Sequence, residues 1–109
     1  MPRDPGLPPG TLVMLVLRVL RAQPLHGYAI AQRIHQLSGE ELQVEEGSLY
    51  PALQKLLLKG WIKGEWTVSD TGRKVRVYHL TASGRRQFDL ELAEFRRTTR
   101  AIELLIGSA

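Results

Sequence analysis

Apolar residues recur at helical spacing directly after a start that is rich in proline and glycine. From Leu12 to Leu20 they fall three and four residues apart, and most positions between them are apolar as well. A helix that is apolar on nearly every side is buried on more than one side. The pattern predicts an extended arm over residues 1–10, then a first helix that begins near Thr11 and ends before Pro24.

A second, shorter helix is predicted from three spaced apolar residues. Ile30, Ile34 and Leu37 lie at i, i+4 and i+7, and Gly39 follows them. A glycine commonly follows the last turn of a helix. The segment LHGYAIAQRIHQLSG is therefore expected to contain one helix that buries this face.

The third predicted helix, within GSLYPALQKLLLKGWI, carries a proline. Its apolar face consists of Leu49, Leu53 and Leu56. If the helix begins near Ser48, Pro51 lies in the first turn, where a missing N–H has no intrahelical partner to lose. If the helix begins as early as Glu45, Pro51 should bend the first turn. Both starts fit the pattern.

The pattern changes from helical to alternating after the third helix. WIKGEWTV and KVRVYHL flank the turn-rich SDTGR, and Val75, Val77 and His79 alternate with their neighbours. Alternation on both sides of a turn predicts a β-hairpin, here with a basic and mobile tip. Because tryptophans are mostly buried, Trp61 and Trp66 are interpreted as core residues, with a role in ligand binding as the alternative.

A long final helix is predicted after Thr81, which is a good N-cap residue, because apolar residues then repeat at spacings of four and three. The stripe includes Phe88, Leu92, Phe95 and Ile102. Such a face would leave a large apolar area in water unless something covered it. We therefore predict that residues 81–109 form a dimerisation helix, packed across a two-fold axis against the partner's first helix, where Leu15 lies.

Composition excludes several classes of protein. A chain of 109 residues, 43% of them apolar, is enough for one small domain. The absence of cysteine excludes disulfides and thiolate metal sites, and it is compatible with the cytoplasm. The longest apolar run, LVMLVLRVL, is too short to span a bilayer, and no secretory signal precedes it. We expect no membrane partner.

Metal binding and catalysis are also not expected. The histidines, His26, His35 and His79, fall on different predicted elements, with no cysteine near them. The chain has no glycine-rich phosphate loop and no Ser/His/Asp set at a recognisable spacing. The sequence therefore predicts a protein that is not an enzyme and that needs no cofactor.

The order of three helices, a hairpin and a final helix is that of a winged helix-turn-helix, so the predicted fold is mainly α with a small β-hairpin. In that fold the third helix enters the DNA major groove, and the hairpin, or wing, contacts the backbone beside it. The net charge is +4, and the basic excess is concentrated in residues 47–80. Double-stranded DNA is therefore the expected partner, although these charges could also merely solvate a surface. The candidate DNA contacts are Ser48, Tyr50, Gln54, Lys55, Lys63, Arg73, Lys74 and Arg76.

Three segments, LHGYAIAQRI, GSLYPALQKLLLKGWI and VRVYHLTASGRRQF, resemble the PadR family of bacterial transcriptional regulators in their order and spacing. The resemblance covers most of the chain, from Leu12 to Phe88. It implies a winged helix-turn-helix over residues 11–80 and a dimer formed through the first and last helices. Family members sometimes bind drugs or phenolic compounds at the dimer interface, so a small-molecule effector is left open.

The resemblance also implies roles for single residues. Tyr28 matches a position expected to touch a phosphate, and Ser48 and Tyr50 match the polar residues that open the recognition helix. Arg73 and Lys74 match the basic tip of the wing. For Tyr28 and Tyr50, a half-buried ring with its hydroxyl in water is the alternative.

Two departures from the family pattern bear on function. Glu45 and Glu46 replace small residues or proline, and acidic side chains near phosphates would repel DNA. Leu57 and Leu58 replace charged residues, and Leu58 points away from the core. We predict a homodimeric, cytoplasmic repressor in which Gln54 contacts base edges. The alternative, which these departures favour, is a winged-helix protein-interaction module without DNA-binding activity.

Overall fold

The computed structural model describes Leu7 and residues 10–107, so most of the predicted arm over residues 1–10 lies outside the described residues. Within them the chain is mainly helical with a small antiparallel sheet, which confirms the predicted fold class. In chain order the elements are α1 (Thr11–Ala22), β1 (Leu25–His26), α2 (Gly27–Leu37), α3 (Glu46–Leu58), β2 (Ile62–Val68), β3 (Lys74–Leu80) and α4 (Ala82–Ile106).

The core is built around α1, which contacts α2, α3, α4 and β3. Neighbours on several sides explain why this helix is apolar nearly all round. Leu25 and Leu42 pack against the core from the segments beside α2. The largest fully buried side chains are Val16, Leu17, Ile30, Leu49, Leu53, Leu56 and Ile62. The apolar face predicted for α3 is therefore confirmed.

The sheet has three strands in the order β1-β3-β2, one more than the predicted hairpin. β2 and β3 form the wing, with Gly64 opposite Tyr78 and Trp66 opposite Arg76. The additional strand, β1, pairs antiparallel with β3 and places Leu25 opposite Tyr78. A strand of two residues has no periodicity of its own, so only its pairing with β3 defines it.

The last apolar residue of α2 corrects the prediction for that helix. Ile30 and Ile34 are buried as expected, but Leu37 is 57% exposed. Leu37 is the final residue of α2, just before the chain passes through left-handed Gly39 and Glu40. The helical repeat predicted on which side of α2 the Leu37 side chain lies, but not whether another element would cover that side chain.

The structure has the earlier of the two starts considered for α3. Glu45 is the N-cap, and the backbone N–H groups of Ser48 and Leu49 both donate to its carbonyl, at 3.0 and 2.9 Å. Pro51 therefore lies inside the helix, and the carbonyl of Gly47 receives no hydrogen bond from it. Both residues are exposed, so water can satisfy that carbonyl. The bend that this start implies stays a prediction.

Thr81 caps α4, as predicted. Its Oγ1 accepts from the N–H of Gly84 at 3.0 Å and donates to the carbonyl of Gly60 at 2.7 Å. Gly84 must be a glycine here, because a Cβ would collide with the carbonyl of Trp61. These contacts tie the start of α4 to the segment between α3 and the wing.

Candidate nucleic-acid interface

The outward face of α3 is defined by residues opposite its buried leucines. At 100° per residue, Gln54 lies about 40° from Tyr50 around the helix axis, on one flank of this face. Ser48 and Lys55 lie about 20° apart on the other flank. All four side chains are exposed. Between the two flanks, the outward face ends in an apolar residue at the C-terminus of α3: Leu58 is 88% exposed.

An open groove with a volume of about 550 Å³ lies between the start of α2, α3 and the wing. It brings together five of the residues predicted to contact DNA, although they are far apart in the chain. Its lining residues are His26, Gly27, Tyr28, Tyr50, Trp66, Arg73, Lys74, Val75, Arg76 and Tyr78. Among the described residues, this lining contains three permanent cations and no carboxylate. We call it the wing groove.

Lys63 is not part of the wing groove. Opposed residues share a face of an antiparallel pair, and faces alternate along each strand. Lys63 is opposite His79, whereas Arg76 is opposite Trp66, so the two cations lie on different faces of the wing. On the Lys63 face, His79 Nε2 lies 3.0 Å from a carboxylate oxygen of Glu65.

Tyr50 reaches from α3 to the start of α2. Gly27, the first residue of α2, is buried, and a Cβ there would approach the Tyr50 hydroxyl to 2.7 Å. The glycine thus allows the phenol ring to lie against the helix start. Tyr28, the next residue, is exposed. Both tyrosines line the wing groove.

Arg76 lies against aromatic rings on the groove face of the wing. Its guanidinium carbon is 5.8 Å from the ring centroids of both Trp66 and Tyr78. Burial raises the pKa of Tyr78, an effect that the Arg76 guanidinium opposes and Tyr50 reinforces. Tyr78 therefore keeps its proton at neutral pH and offers a neutral ring to the cation.

Two residues of the wing groove were missed or misassigned from the sequence. Trp66, interpreted as a core residue, is 64% exposed, so that interpretation was wrong; Trp61 is half-buried against the core. His26 was not considered a groove residue. It is the N-cap of α2, and its Nδ1 accepts from the N–H of Ala29 at 3.4 Å. Its position directly before Gly27 and Tyr28 was the signal available in the sequence.

The predicted dimerisation residues divide into two groups. Phe88 is 4% exposed within a single protomer, and Leu15 and Leu92 pack partly buried against the same core. Phe95 and Ile102, further along α4, are 46% and 51% exposed. The uncovered part of the stripe therefore begins at Phe95.

None of the helices in the described part of the chain has the length and apolar character that crossing a bilayer requires. No three histidine or carboxylate side chains within residues 10–107 come together in a way that could hold a metal ion.

Comparison with known proteins identifies the family. The chain is 42% identical over 78 residues to an uncharacterized 37.1 kDa protein in transposon TN4556 of Streptomyces fradiae. The aligned region covers 72% of this chain and 21% of that protein. It is 31% identical over 72 residues to the negative transcriptional regulator PadR of Bacillus subtilis. That aligned region covers 66% of this chain and 40% of that protein. The chain thus spans well under half the length of these two relatives.

Solved structures agree with these relatives. A PadR family transcriptional regulator from Eggerthella lenta superposes with a TM-score of 0.77 at 29% identity, covering 92% of this chain and 85% of that chain. The family model described as the transcriptional regulator PadR-like family matches residues 16–90. Since this match covers more than half of the chain, the protein belongs to the PadR-like family of transcriptional regulators.

Proposed function

We propose that this protein is a sequence-specific DNA-binding repressor that acts as a homodimer in the cytoplasm. The wing groove is the observation that carries the proposal. Arg73, Lys74 and Arg76 converge there, no carboxylate of the described residues lines the groove, and the exposed flank of α3 lies directly beside it. A surface of this kind favours a polyanion, and the adjacent helix supplies groups that can distinguish bases.

In the proposed complex, α3 enters the major groove of DNA. Gln54, one turn after Tyr50 on the same flank, makes a bidentate pair with an adenine. The Tyr50 hydroxyl donates to the backbone on this side, and Ser48 and Lys55 contact the backbone on the other side. Because a recognition helix lies between two phosphate backbones, polar groups on both flanks are what this arrangement requires.

The wing and α2 hold the same DNA from outside the major groove. Tyr28 donates its hydroxyl to a phosphate, and Arg73 and Lys74 at the tip of the wing neutralise further phosphates. Lys63 is left out of the proposal, because it lies on the opposite face of the wing. Glu45 and Glu46 do not line the wing groove, although they lie at the start of α3, close to Ser48.

The homodimer is supported by the uncovered part of the α4 stripe. Phe95 and Ile102 leave an apolar surface exposed on α4. In the proposed dimer, the partner's first helix covers this surface near its Leu15. A dimer places two copies of α3 on two half-sites of an operator. Occupation of a promoter by such a dimer would block access of the transcription machinery.

A second candidate is a protein-interaction module, which one observation favours. Leu58, at the end of the outward face of α3, is 88% exposed, and an apolar side chain there suits a protein partner better than DNA phosphates. In that case the wing groove would have no nucleic-acid partner.

A gel-shift assay with the DNA upstream of the gene separates the two candidates. The repressor proposal predicts a retarded complex that survives excess unrelated duplex, and that disappears when Arg73 and Lys74 are both changed to alanine. The absence of any complex with the wild-type protein, or a complex that unrelated DNA displaces equally well, would count against the proposal.

A further inference from the structure

Gly64 creates room for Arg76 on the groove face of the wing. It lies inside β2, where a glycine weakens a strand and needs a reason. A Cβ at this position would collide with Nε of Arg76 and would approach its guanidinium carbon to 2.9 Å. The missing side chain therefore allows Arg76 to lie flat across the neighbouring strand.

The rings of Trp66 and Tyr78 provide the remaining contacts to the Arg76 guanidinium. Both centroids are 5.8 Å from the guanidinium carbon, one on the strand opposite Arg76 and one two residues along its own strand. Planar guanidinium groups stack on aromatic faces, and the contact strengthens when the site is partly desolvated. Arg76 is thus held in one conformation before any ligand arrives, which lowers the entropic cost of binding.

Arg76 is also left without an anionic partner. Its buried Nε has no hydrogen-bond partner among residues 10–107. The two ion pairs found in that range, His79 with Glu65 and Arg97 with Glu94, do not involve it. A partly buried cation without a counter-charge is costly, and an oxyanion bound at the terminal nitrogens of the guanidinium would offset that cost, since the buried Nε is out of its reach.

We propose that Gly64, Trp66 and Tyr78 preset Arg76 to bind a single backbone phosphate of duplex DNA in the wing groove. Tyr28 and Tyr50, which line the same groove, supply the neutral hydroxyl donors to that phosphate. Trp66 and Gly64 are positioning residues, since they act through Arg76. This inference rests on the DNA binding proposed above, and it adds that the geometry of Arg76, and not its charge alone, supplies the contact.

The test compares variants that remove the charge with variants that only displace it. Binding of a labelled duplex from upstream of the gene is measured by fluorescence anisotropy over a series of salt concentrations. Arg76→Ala should lower the slope of log K against log salt by about 0.9 per bound copy. Gly64→Ala keeps every charge, but its added Cβ should displace the Arg76 side chain from its position against Trp66 and Tyr78. Binding should then weaken about tenfold, as it does when a charged hydrogen bond is lost.

Two further variants keep the test decisive if Gly64→Ala disturbs folding, which circular dichroism and thermal melting would reveal. Trp66→Leu removes an exposed ring with little effect on the core, and it should weaken binding about two- to fivefold. Lys63→Ala is the matched control: it removes one cation from the other face of the same wing, and the salt slope should stay close to that of the wild type.

Failure of this inference is distinguishable from failure of the proposed function. If the wild-type protein does not bind the duplex, the DNA-binding proposal itself is wrong. If the wild type binds, but folded Gly64→Ala and Trp66→Leu bind as tightly as it does, the preset phosphate site is wrong and DNA binding stands. An equal loss of salt slope in Lys63→Ala and Arg76→Ala would also overturn it, because charge on the wing would then act diffusely.

Discussion

The wing groove and the far end of α4 both expose large hydrophobic side chains, but their chemistry differs. The groove combines tyrosines and a tryptophan with Arg73, Lys74 and Arg76, whereas the stripe from Phe95 to Ile102 exposes apolar side chains. Exposure alone therefore does not identify the partner. A groove lined by cations without carboxylates favours a polyanionic partner, whereas an apolar stripe favours another apolar protein surface.

The difference also shows in how each surface is supported. Groove residues come from α2, α3 and both wing strands, and close contacts such as Tyr50 on Gly27 hold them in place. The exposed part of α4 belongs to a single helix beyond its contact with α1, whose Arg21 lies 5.6 Å over the ring of Phe88. We expect the groove to be formed in a single protomer and the α4 surface to be completed only by a second copy.

Phe95→Asp should give the largest effect, because it places an unpaired charge in the apolar stripe. We expect loss of the dimer at micromolar concentration by light scattering. Operator affinity should then fall about hundredfold or more, since linked binding to two half-sites is lost. Phe95 is half exposed, so circular dichroism should show a folded protein.

Leu90→Asp is the matched control for that change. Leu90 is exposed on α4 but lies about 140° from Phe95 around the axis, outside the stripe. It should leave the dimer intact. A wild-type protein of monomer mass, or equal dissociation by both variants, would contradict the contrast between groove and stripe.

Gln54→Ala should remove base preference from the groove side of α3. Loss of a bidentate pair with adenine should cost about 1–3 kcal/mol of discrimination at one position of each half-site. Affinities for an operator and its single-base variants provide the measurement. Tyr50→Phe is the paired variant, and it should weaken binding evenly across all sequences. An unchanged preference profile in Gln54→Ala would move the search to Lys55 or to DNA shape.

Lys74→Ala should have a smaller and sequence-independent effect. Removing one phosphate contact at the wing tip should lower the salt slope by about 0.9 per copy, and affinity should fall alike for operator and unrelated DNA. Salt titrations of both duplexes measure this. If the loss depended strongly on sequence, the wing tip would contact bases and its assignment to the backbone would be wrong.

The smallest effect concerns the ring beneath Arg76. Burial raises the pKa of Tyr78, so the folded state favours the protonated phenol. That contribution to stability is present below pH about 10, the ordinary value for tyrosine, and it is lost as the pH rises through the higher folded value. Tyr78→Phe should reduce the alkaline fall in unfolding free energy, measured by denaturant melts. An identical alkaline fall in both proteins would contradict the raised pKa.

Much of the fold followed from local pattern. The buried face of α3, the Thr81 cap and the alternation in KVRVYHL each depend on residues within a few positions of one another, and each was predicted. The missed strand β1 and exposed Leu37 depend on what lies beside them in space. Local periodicity carries no information about that neighbour.

Sequence by itself determined the order of the four helices and the wing, the family and the set of residues that carry charge on the wing. It did not determine that Arg76 and Lys63 lie on opposite faces, because a shift of one residue in strand pairing exchanges the two faces of a strand. The pairing of β2 with β3 decided this, together with the glycine that lets Arg76 lie across its neighbour. The wing groove exists only because three distant segments pack around one core, and packing is a property of the tertiary structure.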